Sequence, residues 1–140
     1  MSQEALATTL AAFHDKLERA HKQGLVAFES AMVEAPAGVG FHEIDSAHVI
    51  TKVSPEELRI LGYKKSEMVG RPVWEFIVMQ EAAQRAIEQK LKGTRDLKPF
   101  VRTFKRADGS AVALLLLDRH LVDASGHPVG IRTAMTRIGA

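Results

Sequence analysis

The stretch Ala111–His120 constrains the fold more than any other part of the chain. In an extended strand, Val112, Leu114 and Leu116 point to one side and Leu115 and Leu117 to the other. A sheet with one solvated face alternates apolar and polar residues; this strand is apolar on both faces. Full burial of each such side chain contributes roughly 1.5–3 kcal/mol. One face must therefore lie on a core of helices. The other needs its own cover: the N-terminal helix, a second subunit, or both.

A candidate cover stands at the start of the chain. Leu6, Leu10, Phe13, Leu17, His21, Leu25, Phe28 and Met32 recur at a mean spacing of about 3.7 residues, the period of one helical face. Ser2 is the predicted N-cap and Pro36 the stop. An unbroken helix over residues 3–34 would be ~48 Å long. That exceeds the width of the remaining domain, so part of it should protrude or pair, and Gly24 is a candidate bend. A helix folded back on its own sheet would satisfy the pattern. A homodimer whose helices pair and also cap the sheets would use more of the long apolar face, and the association is assigned to Leu6, Leu10, Phe13, Leu17, Leu25 and Phe28.

Pro36–Gly40 reads as a linker, which places a boundary between residues 1–35 and a domain over 36–140. Two short β-branched runs, 40–45 and 48–53, predict a hairpin. Ser54-Pro55-Glu56-Glu57 predicts a helix start with Ser54 as N-cap and Glu57 closing a capping box. Short helical turns follow around 66–69 and 72–76, then a regular helix over 81–91. The end of the chain reads as three long strands, 97–106, 111–122 and 129–138, separated by Asp108-Gly109 and Ser125-Gly126 turns. The fold class is α+β: one five-stranded antiparallel sheet, short helices on one face, and a long amphipathic N-terminal helix.

The element order and several local motifs resemble a PAS domain over about residues 36–138. Asp45 through Pro55 is similar to the family's opening, an aspartate, a turn, a strand and Asn-Pro. Here His48 stands where glycine is usual, and Ser54 replaces the asparagine. Leu61-Gly62-Tyr63 through Gly70-Arg71 resembles the family's most specific stretch. Asp108-Gly109 and Asp123 to Gly126 match its strand turns, and Thr136-Arg137-Ile138 stands at a degenerate Asp-Ile-Thr element. Two residues follow, so the chain is read as a stand-alone module or a fragment of a larger receptor.

The resemblance implies a sensory and signal-transduction module rather than an enzyme, with a ligand that differs between members. The rival reading is a ligand-free interaction spacer. Cysteine is absent, which removes the flavin–cysteine adduct and the coumaroyl thioester that some members use. Haem in the family commonly takes an axial histidine from the long helix, and residues 81–91 contain none. Haem would need His120, His42 or another ligand in an unusual place instead. A non-covalent flavin could stack on Trp74 and Phe76, although core packing is the plainer role for both. The cofactor is left unknown; Trp74, Phe76, Ile87, Leu91 and His120 are the candidate pocket residues.

His42, Glu43, Asp45 and His48 do not converge on one strand face, so no metal site is expected and these residues read as surface polar groups. Lys98, Arg102 and Arg106 alternate along one strand in register with Phe100 and Phe104. Such a stripe either grips an anion or forms a solvated edge. No nucleophile elbow, phosphate loop or His-Glu-x-x-His motif is present. A net charge of +2 is too small to suggest nucleic acid, and no apolar run is long enough to span a membrane. Lacking a secretory signal and cysteine, the chain is expected to be cytoplasmic.

Overall fold

The computed structural model describes residues 2–138. Two helices, α1 (Gln3–Gln23) and α2 (Leu25–Val33), precede strands β1 (Val39–Asp45) and β2 (Ile50–Val53). Then come α3 (Pro55–Leu61), α4 (Lys65–Met68), a 3-10 turn (Val73–Phe76) and α5 (Gln80–Leu91). Strands β3 (Phe100–Lys105), β4 (Ala111–Val122) and β5 (Pro128–Arg137) complete a five-stranded antiparallel sheet in the order β2-β1-β5-β4-β3.

The sheet separates two cores, as the doubly apolar β4 requires. On the inner face, Leu114 and Leu116 join Ile44, Ile50, Ile131 and Met135 beneath the short helices and α5. On the outer face, Leu115 and Leu117 join Phe41, Val39 and Ala134 beneath α1 and α2. Phe41 is the hub of that second core: the Phe13 and Phe28 rings meet it edge-on at 5.8 and 6.1 Å.

The N-terminal helix is divided. Gly24 takes φ 118°, ψ 177°, which favours glycine and lies outside any helix. α2 turns back beside α1, and Lys16 reaches Glu34 at 3.2 Å. The break resets the helical phase, so Leu25 leaves the predicted stripe and is 70% exposed, while Leu10, Phe13, Leu17 and Phe28 are buried under the chain's own fold. Leu6 is half-buried at the margin.

Ser54 caps α3 as expected, accepting from the Glu57 amide at 3.4 Å and from the Phe41 amide at 2.9 Å. The capping box does not close. The Ser54 amide instead donates to the Phe41 carbonyl, and the Glu57 carboxylate turns inward to His42. α3 lies so close to β1 here that a Cβ on Gly40 would stand 2.8 Å from the Glu57 nitrogen.

Candidate functional site

Polar side chains that cross between layers mark the places where helices are held to the sheet. His42, Glu43 and His48 are not surface groups: all three are buried, each with a partner distant in sequence. His42 Nδ1 donates to both Glu57 oxygens at 2.9 Å. Glu43 accepts from Arg132 Nε at 2.9 Å on the outer face. His48 takes a positive φ of 68°, filling the left-handed position with a non-glycine residue, and its Nε2 donates to Glu88 on α5 at 2.9 Å. Among the described residues, no three His, Asp or Glu converge as a metal site would require.

α5 has two further ties to the sheet. Lys90 Nζ donates to Asp118 Oδ2 at 2.7 Å, and Asp118 Oδ1 accepts from Thr133 at 2.6 Å. Both charged side chains are about 95% buried. Burial lowers the Lys90 pKa below its usual value, with Asp118 opposing that shift. His120 Nε2 donates to the Lys90 carbonyl at 2.7 Å, closing the end of α5 onto β4.

The neighbouring residues of β4 hold α1 from the other side. The Leu117 carbonyl accepts from His14 Nε2 at 2.8 Å, and Arg119 meets Asp15 at 3.0 Å and Glu18 at 3.4 Å. Leu117–His120 is thus gripped alternately: residues 117 and 119 by α1, residues 118 and 120 by α5. Strand alternation sends Arg119 to one face and Asp118 and His120 to the other, while the His14 bond is made to the Leu117 carbonyl, just past the end of the β3 pairing.

His14 is buried with Nδ1 unpartnered. Burial lowers its pKa, outweighing the Leu117 hydrogen bond, so the folded chain holds it neutral. His42 shifts the other way: burial opposes its charge, but Glu57's charge and hydrogen bonds outweigh that and raise its pKa. The sign follows for each. Below about pH 6.5 the unfolded chain protonates residue 14 and the folded chain resists, so stability is lost on acidification. Stability from His42 is fully present below that pH and is lost as pH rises through its folded pKa. Urea unfolding of His14→Gln and the parent at pH 7.5 and 5.0 should show the parent losing more stability than the variant on acidification.

The predicted pocket residues sit around the inner core without lining one cavity. Phe76 stacks edge-on against Tyr63 at 5.0 Å, and Trp74 and Leu91 pack at the core's margin. Ile87 alone of the five lines the enclosed interior space, with His42, Arg102, Phe104, Asp118 and Thr133. That space is about 10 Å³, room for one water at most. Small-molecule sites are commonly ~300–1,000 Å³, so an interior this small, and crossed by charged groups, does not fit a flavin or a haem.

Space opens instead on the outer flank of α5, where a cleft of about 570 Å³ separates it from edge strand β3. Arg85, Arg95 and Arg102 line it over a floor that includes Ile77, Ala83, Ala86 and Phe100. The Phe100 ring is flanked by Lys90 Nζ at 3.6 Å and Arg102 at 4.7 Å. Sequence reasoning placed Arg102 in a cationic stripe; Arg85 and Arg95 join it only through the fold.

The family profile described as PAS fold matches residues 27–138, beginning inside α2. Among solved structures, the PAS domain of an HTR-like protein from Haloarcula marismortui superposes with TM-score 0.63 at 22% identity, covering 86% of this chain and 99% of that one. A PAS domain from Colwellia psychrerythraea gives 0.68 at 13% identity, covering 81% and 98%. A light-oxygen-voltage protein from Rhodobacter sphaeroides gives 0.62 at 20% identity, covering 73% and 60%. No match was found among curated protein sequences. Identities this low establish shared architecture and nothing finer.

Proposed function

Because this chain belongs to the PAS family, we propose that it is a sensory, signal-transducing module and not an enzyme. In this reading a ligand between α5 and the sheet biases the hold of residues 36–140 on the helical cap formed by residues 1–35. The carrying observation is the alternating grip on Leu117–His120: a change at α5 that pulls Asp118 or His120 must shift the strand that His14 and Arg119 hold. Transmission further requires a ligand that binds two states of this arrangement unequally.

The cap is also the proposed homodimer surface. Its buried members Leu10, Phe13, Leu17 and Phe28 fix it to the sheet, and the contact falls to Leu25 with its exposed neighbours Val26 and Val33, with Leu6 half-buried further along α1. Val26 and Val33 are 79% and 85% exposed, so with Leu25 three of the nine residues of α2 present large apolar side chains to solvent. The absence of cysteine suits a cytoplasmic location. No helix among the described residues is long and apolar enough to cross a membrane.

Hydrogen exchange tests the transmission directly. His120→Leu removes the tie to α5 without touching α1, and amides of α1 around residues 10–20 should exchange at least several-fold faster. Faster exchange confined to α5 and β4 would refute coupling across the sheet. In sedimentation, Leu25→Glu with Val33→Glu should convert dimer to monomer with little change in melting.

A further inference from the structure

Three arginines that share one cleft have no carboxylate partner among the described residues. Among the described residues, Arg85, Arg95 and Arg102 form no ion pair, and the sole side-chain hydrogen bond of the set is Arg95 to Gln89 at 3.4 Å. Twelve other cationic side chains or histidines among the described residues do find an acid within 4 Å, among them Lys16, Lys52, Arg119 and Arg132. No aspartate or glutamate lines the cleft.

Arg102 is the informative member. It is half-buried, on the inward face of β3, and contributes to both the enclosed interior and the open cleft. Its guanidinium finds no acceptor among the described residues, and it lines the open cleft. Burial holds its pKa below the usual arginine value; Asp118 opposes that effect and Arg95 adds to it. Like charges crowded in a partly dry cleft favour an anion between them.

The rest of the lining narrows the class. A guanidinium is a planar fork that takes a carboxylate through two parallel hydrogen bonds. Phosphate would satisfy the forks equally well, but an inorganic anion leaves the exposed Met79, Ala82 and Val101 and the half-buried Phe100 ring without a partner. We propose that the cleft between α5 and β3 binds a small organic carboxylate, its carboxylate held by Arg102 and Arg95 with Arg85 at the rim, and its hydrocarbon body against Phe100 and the alanine face of α5. This rests on the sensory reading above and supplies the chemistry of its ligand. It also gives the signal an entry point, because an anion on Arg102 alters the charge that Asp118 faces, and Asp118 belongs to the gripped segment of β4.

Titration calorimetry on the full chain, with benzoate as probe, is the test. Benzoate should bind, with benzyl alcohol and inorganic phosphate each at least tenfold weaker. Arg102→Gln and Arg95→Gln should each weaken benzoate at least tenfold, with circular dichroism melts close to the parent, and Arg59→Gln, on α3, should leave binding unchanged. No benzoate binding, benzyl alcohol binding as tightly, phosphate binding more tightly, or indifference to Arg102→Gln would each overturn the site. Hydrogen exchange in the same samples separates the two proposals. Benzoate that binds through Arg102 yet leaves α1 exchange unaltered keeps the site and removes the transmission. Absent binding, with α1 still responding to His120→Leu, removes the site alone.

Discussion

A chain lacking residues 1–34 is expected to be recovered as aggregate or as an uncooperative, dye-binding species, not as a trimmed folded domain. The cap keeps Phe41, Val39, Leu115 and Leu117 between 0% and 7% exposed. Returning four such side chains to water costs roughly 6–12 kcal/mol at ~1.5–3 kcal/mol each. The whole folding stability of a domain is ~5–15 kcal/mol, so little or nothing would remain. The loss also strips Leu117's carbonyl of His14 and Arg119 of both its acids. Adding a peptide of residues 1–34 to the truncated chain during refolding should recover a cooperative melt, because the missing contribution is a surface and not a folding instruction. A truncated chain that stays monodisperse and melts within a few degrees of the parent would mean that the outer face tolerates water, contrary to the reading of β4.

The need for that cover was legible because Leu114–Leu117 carries it in four consecutive letters, and strand alternation needs no tertiary information. What covers it was not: a helical stripe fits a sheet of the same chain or of a second copy, its length favours a dimer, and it is the chain's own α1 and α2 that lie over the face. Gly24 decided part of the outcome: by breaking the helix it let α2 return and carried Leu25 out of the stripe. The polar residues were harder. Alternation treats His42, Glu43 and His48 as solvated, yet their partners Glu57, Arg132 and Glu88 stand 15, 89 and 40 residues away. Glu57 fitted a local template, the capping box, and a tertiary partner won it. The arginine cleft was half visible: Arg102 follows from strand register, whereas Arg85 on α5 and Arg95 beyond it are brought alongside only by packing of that helix against the edge strand.

Replacing Lys90 by methionine should be the most damaging single change on the inner side, by about 3–5 kcal/mol, because it strands Asp118 as a buried, unpaired carboxylate. Thr133 supplies one hydrogen bond to that carboxylate, too little to replace an ammonium at 2.7 Å. For a chain of this length such a loss corresponds to a fall in melting temperature of roughly 10–15 °C. The damage should be largely reversible by chemistry alone. Lys90→Met with Asp118→Asn removes the charge, keeps an acceptor for Thr133, and should recover more than half of the loss in urea unfolding. That reciprocity separates a charge effect from a packing effect: if the second substitution deepened the deficit, the lysine's aliphatic stem, and not its pairing, would be the stabilising part. A single-variant cost under 1 kcal/mol would place water at the pair and remove the rigid link between α5 and β4. The same pair sets how an anion at Arg102 is felt, since Asp118 answers to Lys90, Thr133 and Arg102 together, and only a carboxylate held by a fixed lysine can pass a change in one neighbour on to the strand.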